Sequence, residues 1–169
     1  MSTVGRLQRD VGRSNVAATF ATRRVRGINE GSGSIDTTLF FSKTWGLTGQ
    51  MAKGFGHYAH GTWAYFIRPS YDSATGHFHL RYTHLGDRFG DTANAVGLVR
   101  DDNRRELDSQ IAKTFWVKSG RVEKVDYNSN YNAYWSQHGD LRSWRIDEVL
   151  DTELRNRWGA RATWSEEDI

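Results

Sequence analysis

Side chains alternate between apolar and polar in nearly every segment of this chain, and that period of two constrains its fold more than any other feature. Successive residues of a strand point to opposite faces of a sheet, so the alternation specifies strands with one apolar and one polar face. Over 35–45 one face carries Ile35, Thr37, Leu39, Phe41 and Trp45, and the other Asp36, Thr38, Ser42 and Thr44, with Phe40 as the exception. Over 62–71 the apolar face is Trp63, Tyr65, Ile67 and Tyr71. Over 77–84 it is Phe78, Leu80 and Tyr82 against His77, His79, Arg81 and Thr83. The turn-forming stretch 72–76, Asp-Ser-Ala-Thr-Gly, joins these two strands into a hairpin.

The second half repeats the pattern. Over 125–135, Val125, Tyr127, Ser129, Tyr131, Ala133 and Trp135 oppose Asp126, Asn128, Asn130, Asn132 and Tyr134. Over 106–117, Leu107, Ile111, Phe115 and Val117 oppose Glu106, Asp108, Gln110 and Thr114, and a tight turn follows at 118–120. A turn at 136–140 leads into Trp144, Ile146 and Leu150, a face that Glu148 interrupts. The last segment sets Trp158, Ala160, Ala162 and Trp164 against Arg155, Arg157, Arg161 and Thr163. Near the N-terminus, Val16, Ala18 and Phe20 alternate with Ala17, Thr19, Ala21 and Arg23 after a turn at 12–15. Residues 28–33 read as a loop, a further strand surrounds Met51, and the irregular stretch 86–103 holds a short strand at 95–99. The expectation is an all-β, antiparallel up-and-down meander of nine or ten strands spanning 1–169 as one segment. A helical stripe is only weakly present, at 147–158.

Composition removes several alternatives. Aromatic residues make up 13% of the 169, with seven Trp and seven Tyr, which is incompatible with a disordered chain. No run approaches the ~20 apolar residues of a membrane helix. The net charge of +3 is spread over 23 basic and 20 acidic residues without a dense cationic block, which disfavours nucleic acid as a partner. Without cysteine there are no disulfides, thiolate metal sites or cysteine nucleophiles. The first nine residues lack the apolar region of a secretory signal.

A soluble sheet also has one apolar face, so the placement of aromatics and charges must separate the cases. Trp45, Trp63, Trp116, Trp135, Trp144 and Trp164 fall near expected strand ends, where lipid headgroups would meet an amphipathic ring. The polar faces carry Asp, Asn, Arg and Glu in long series, which a wet lumen tolerates and a closed apolar core does not. Several strands reach the ~9–11 residues that cross a bilayer at a tilt. Lys43 and Lys113 fall on apolar faces near strand ends, where their ammonium groups can snorkel. These features point to part of a transmembrane β-barrel. The alternative is a soluble β-barrel or β-sandwich that binds a carbohydrate or small ligand.

Asn-Ala-Val-Gly-Leu-Val-Arg-Asp-Asp-Asn at 94–103, preceded by Tyr-Thr-His-Leu-Gly-Asp-Arg-Phe at 82–89, resembles the C-terminal barrel region of a family of bacterial outer-membrane proteins. In that family a signal peptide and a family-9-type carbohydrate-binding domain precede a large β-barrel of uncharacterised function. Gly-Arg-Ser-Asn-Val-Ala-Ala at 12–18, Tyr-Asn-Ala-Tyr-Trp at 131–135 and Arg-Ser-Trp at 142–144 add to the likeness. The resemblance implies a bacterial outer-membrane location. It also implies contact with the lipid bilayer, and carbohydrate as a partner through an upstream domain. It carries over no site residue. This sequence lacks the signal, the binding domain and the C-terminal aromatic residue of complete outer-membrane barrels, so a fragment of a larger barrel is expected.

For function, the expectation is a pore or scaffold linked to carbohydrate binding or uptake, not an enzyme, with no cofactor and no metal. Rings of polar side chains tune what crosses a pore, so the expected lining is Arg81, Glu106, Asp108, Asp126, Asn128, Asn130 and Asn132, with Arg155, Arg157 and Arg161 from other strands. His77 and His79 share a face, as two imidazoles chelating a metal would, but no carboxylate follows at a ligand-like spacing and His84 points the other way. Glu106 and Asp108 have a spacing compatible with paired glycosidase carboxylates. With Arg104 and Arg105 adjacent, an ion-pair network is the expected role, and no catalytic residue is assigned.

Overall fold

Each strand pairs antiparallel with its neighbours in sequence and with nothing else, so the chain is laid down as a run of hairpins. The computed structural model describes residues 2–94, 96 and 101–169. Its ten strands are β1 Ser2–Val11, β2 Ser14–Val25, β3 Ile28–Phe40, β4 Trp45–Phe55, β5 Trp63–Ser73, β6 Gly76–Leu85, β7 Arg104–Trp116, β8 Val122–Trp135, β9 Leu141–Leu154 and β10 Gly159–Asp168. Among the described residues between β6 and β7 is a short helix, α1 Phe89–Ala93. The sheet is not closed, because β1 and β10 are edges that do not pair with each other. The reversals at 12–13, 41–44, 74–75, 117–121 and 155–158 lie at one end of the sheet. At the other end are 26–27, 136–140 and the two longer connections, 56–62 and the one from β6 to β7.

Several sequence expectations shift against this frame. Residues 28–33 are not a loop but the start of β3, because Arg26 and Gly27 make the whole turn with positive φ (48° and 88°). Such a two-residue turn twists the way the strands do. A Cβ on Gly31 would strike the Ala21 carbonyl oxygen, so glycine there permits close strand pairing. The strand expected over 35–45 ends at Phe40. Ser42 Oγ then accepts the N–H of Thr44 (3.1 Å) and of Trp45 (3.0 Å), so Lys43 lies in a turn and Trp45 opens the next strand. The weak helical stripe at 147–158 is β9 and its following turn. β1, unassigned from the sequence, is a strand exposed throughout. The strand expected at 95–99 lies outside the described residues except for Val96. Of the six tryptophans expected near strand ends, Trp45, Trp63, Trp116 and Trp135 are terminal strand residues, while Trp144 and Trp164 lie inside β9 and β10.

Register carries face identity across the sheet. Ile67, Tyr82, Leu107, Ala133 and Trp144 are successive cross-strand partners on one face. Arg81, Asp108, Asn132 and Arg145 are successive partners on the other. A one-residue slip would exchange the two sets. Between β8 and β9 the register shifts only near the strand ends, so the separation survives. The apolar face leaves large side chains exposed among the described residues. Ile67 on it is 48% exposed, and Leu7, Phe20, Ile35, Met51, Ile111 and Leu150 are likewise exposed.

The cluster of buried apolar residues lies on the polar side. Ala52 and Ala64, cross-strand partners, form a small cluster with Phe89 and Ala93 of α1, with Leu85 packed against it. Asp102 holds α1 by accepting the Gly90 N–H (2.9 Å). Gln137 ties the following connection down by donating to the Leu85 carbonyl (2.7 Å). Gly54 is required where the helix docks, because a Cβ there would collide with the hydroxyl of Thr92, which is fully buried. Gly54→Ala should therefore displace α1, at about 1–3 kcal/mol for overpacking. Hydrogen–deuterium exchange should then rise in 86–94 while β5 to β9 remain protected. Unchanged protection of 86–94 would contradict this docking geometry.

Candidate functional site: the polar face of the sheet

The polar face of β5 to β10 gathers Arg81, Glu106, Asp108, Asp126, Asn128, Asn130 and Asn132, and of the three further arginines expected with them it holds Arg161. Arg81, Asp108 and Asn132 form one row across three strands. Thr83, Glu106 and Tyr134 form the adjacent row. His79, Gln110 and Asn130 form another, with Asn128 and Asp126 following toward the start of β8. Parity of this kind needs no tertiary information beyond register. Arg155 and Arg157 occupy the β9–β10 turn, where Arg155 donates to the Gly120 (3.0 Å) and Val117 (2.5 Å) carbonyls and caps the neighbouring turn, while Arg157 borders a cavity with Asp126, Asp151 and Arg161 of the polar face.

The charges are arranged in pairs. Asp126 and Asp151 are direct cross-strand partners, a juxtaposition that repels unless compensated. Lys124 sits 3.1 Å from Asp126 and 3.3 Å from Glu153, and Thr114 donates its hydroxyl to Asp126 (2.5 Å). Arg161 grips Asp151 with both arms of its guanidinium, at 2.6 and 2.8 Å. Arg145 grips Asp147 at 2.8 and 3.0 Å, and Ser165 donates to the same carboxylate. Gln110 donates to Asn128 (3.0 Å). At the far edge, Arg6 of β1 reaches over β2 to Asp36 of β3, at 2.8 and 2.9 Å.

His77 and His79 are engaged with each other and with carboxylates. His77 Nδ1 lies 2.5 Å from Asp72, His77 Nε2 lies 2.9 Å from His79 Nδ1, and His79 Nε2 lies 3.4 Å from Asp108. Three links between two carboxylates require three ring-nitrogen protons, one more than two neutral imidazoles hold. The line is therefore fully bonded only when one ring is an imidazolium, and it loses a link when both are neutral. Among the described residues no group of three or more His, Cys, Asp and Glu side chains is placed to hold a metal. His84 stands on the opposite face, stacked on Tyr65 at 4.6 Å. Glu106 lies 3.6 Å from Arg104, in the ion-pair role expected for it.

Arg68, Phe66 and Phe89 were not singled out by the sequence, yet they belong to this face. The parity opposite Ile67 marks Arg68 and Phe66, whereas only the docking of α1 brings Phe89 onto the sheet. No family model, curated protein or solved structure matches the chain.

The Asp126–Asp151 contact makes a quantitative expectation. Arg161→Ala exposes Asp151 to Asp126, so it should destabilise more than the double change Arg161→Ala with Asp151→Ala. The coupling should be small, because Arg161 is largely exposed and the pair is screened by solvent. Urea unfolding, with unchanged m, measures it. Additive single effects would show that the pair does not act as described.

Proposed function

We propose that this sheet is part of the wall of a transmembrane β-barrel in a bacterial outer membrane, acting as a pore or scaffold, with its apolar face against lipid and its polar face toward an aqueous lumen. One observation carries the reading. Across ten strands the face that bears most of the large apolar side chains leaves them exposed among the described residues, while the other face, which bears most of the charges, holds the packed helix. In water that arrangement leaves an extended apolar surface unburied, and a bilayer is the environment that satisfies it.

Further features support it. Strands of 10–14 residues are long enough to cross a bilayer at a tilt. On the apolar face, Trp45 packs on Tyr71 at 5.1 Å near one sheet end, and Trp63 and Trp135 lie at the other, as two interfacial belts would. Short reversals gather at one end and most of the longer connections at the other, which is the asymmetry of such barrels. Lys113 on the apolar face lies near the end of β7, within snorkelling reach of the interface. The free edges of β1 and β10 are where further strands would complete the wall.

The two faces respond oppositely to added charge. Leu80→Arg, mid-strand on the apolar face, should cost about 2–4 kcal/mol and block assembly into lipid vesicles. Asn128→Arg on the polar face should assemble normally and alter conductance at most. Normal assembly of Leu80→Arg with failure of Asn128→Arg would make the apolar face the core of a soluble protein. Recovery of the chain as a monodisperse soluble monomer without detergent would do the same.

A further inference from the structure

A cavity of about 300 Å³ opens on the polar face where α1 overhangs β3 to β7. Arg81, Arg104, Thr83, Gln50, Ser34 and Phe66 line it, and Phe89 of α1 closes one side. That volume is at the lower end of the roughly 300–1,000 Å³ typical of small-molecule sites, which suits a solute of monosaccharide size.

Its polar groups are incompletely used. Thr83 is 5% exposed and its hydroxyl has no partner. The Nε atoms of Arg81 and Arg104 are buried and also unpartnered. Buried donors in native proteins are nearly always satisfied, so three such groups around one cavity point to a ligand that satisfies them. The guanidinium planes are held ready by aromatic rings. Arg81 lies over Phe66 at 4.8 Å and Arg104 over Tyr134 at 5.5 Å.

The charge balance sets the sign of that ligand. Between the partners Ile67↔Tyr82 and Ser70↔His79, the intervening positions set Arg68 beside Arg81 on the polar face. Two cations directly opposed across strands repel each other. Among the described residues neither forms an ion pair. Glu106 stands 3.6 Å from Arg104, and Asp108 is bonded to His79. Elsewhere on this face Asp126, Asp147 and Asp151 each have their own cation at 3.1 Å or closer. The uncompensated charge is positive, and it borders the cavity.

We propose that this cavity binds a small hydroxylated carboxylate, the chemical class of the uronic acids. Arg81 and Arg104 take the carboxylate, and Thr83, Ser34 and Gln50 take hydroxyls. Planar guanidinium forks match a carboxylate bidentately, and hydroxyl and amide side chains serve as both donors and acceptors for hydroxyl groups. The inference goes beyond the barrel-wall reading and does not depend on it, because the cavity belongs to this face whatever the other face meets.

The test is calorimetric titration of the full chain, in a sugar-free detergent, with glucuronate, glucose and inorganic phosphate. Glucuronate should bind saturably and glucose at least about tenfold more weakly, since only the carboxylate engages the forks. Arg81→Gln and Arg104→Gln should each weaken glucuronate about tenfold or more. On the unmodified chain, glucuronate and not glucose should shift the side-chain ¹⁵Nε resonances of Arg81 and Arg104, a readout that needs no variant to fold. Equal binding of glucose and glucuronate, glucuronate binding indifferent to both substitutions, or unmoved Nε resonances would overturn the proposal. Phosphate binding as tightly as glucuronate would overturn the carboxylate assignment. None of these outcomes bears on whether Leu80→Arg assembles, so the two readings fail separately.

Discussion

Neighbour-only antiparallel pairing is the constraint on which everything else in this protein rests. Each interior strand satisfies its backbone N–H and C=O groups with the strands just before and after it in sequence, so no crossover is needed and no strand chooses a distant partner. Because the side-chain period is two and the register is continuous through the strand centres, the faces of one strand become the faces of the whole sheet. A single parity therefore separates Ile67, Tyr82 and Leu107 from Arg81, Asp108 and Asn132.

The consequence inverts the usual relation of core and surface. In a globular sheet the apolar face is packed and the polar face solvated. Here the described cluster of buried apolar residues is built from alanines and one phenylalanine under α1, on the charged side. Small residues suit that position, since Ala52, Ala64 and Gly54 let a five-residue helix sit close against the strands. One of the charges on the apolar face has a partner on the neighbouring strand. Glu148, which interrupts the pattern of β9, accepts a hydrogen bond from Ser129 at 2.8 Å and so has a local partner.

Electrostatics divide the polar face into two zones. Toward β8 to β10, carboxylates crowd one another and are answered by Lys124, Arg145 and Arg161. Toward β5 to β7, arginines predominate and aromatic rings, more than carboxylates, support them. The imidazole line from Asp72 to Asp108 lies in that arginine-rich zone, on β5 to β7. The two zones therefore present opposite fields within a few strands of each other.

The sequence by itself determined the strands, their two faces and the polar set from Arg81 to Asn132, because alternation is a local property and the chain pairs only locally. It left β1 and the start of β3 unread. Thr3, Gly5 and Arg9 dilute the apolar face of β1, and the glycines and serines of 30–34 carry no apolar signal, although backbone pairing needs none. A turn held by a positive φ at Arg26 was equally silent, since arginine seldom adopts it. The tertiary structure alone decided what lies beside what. Register set Asp126 against Asp151, and Arg68 beside Arg81. The docking of α1 roofed a cavity that no single strand encodes. Such juxtapositions depend on turn lengths and on close approach at glycine, which fix relative offsets between strands, and a period of two within one strand contains no information about them.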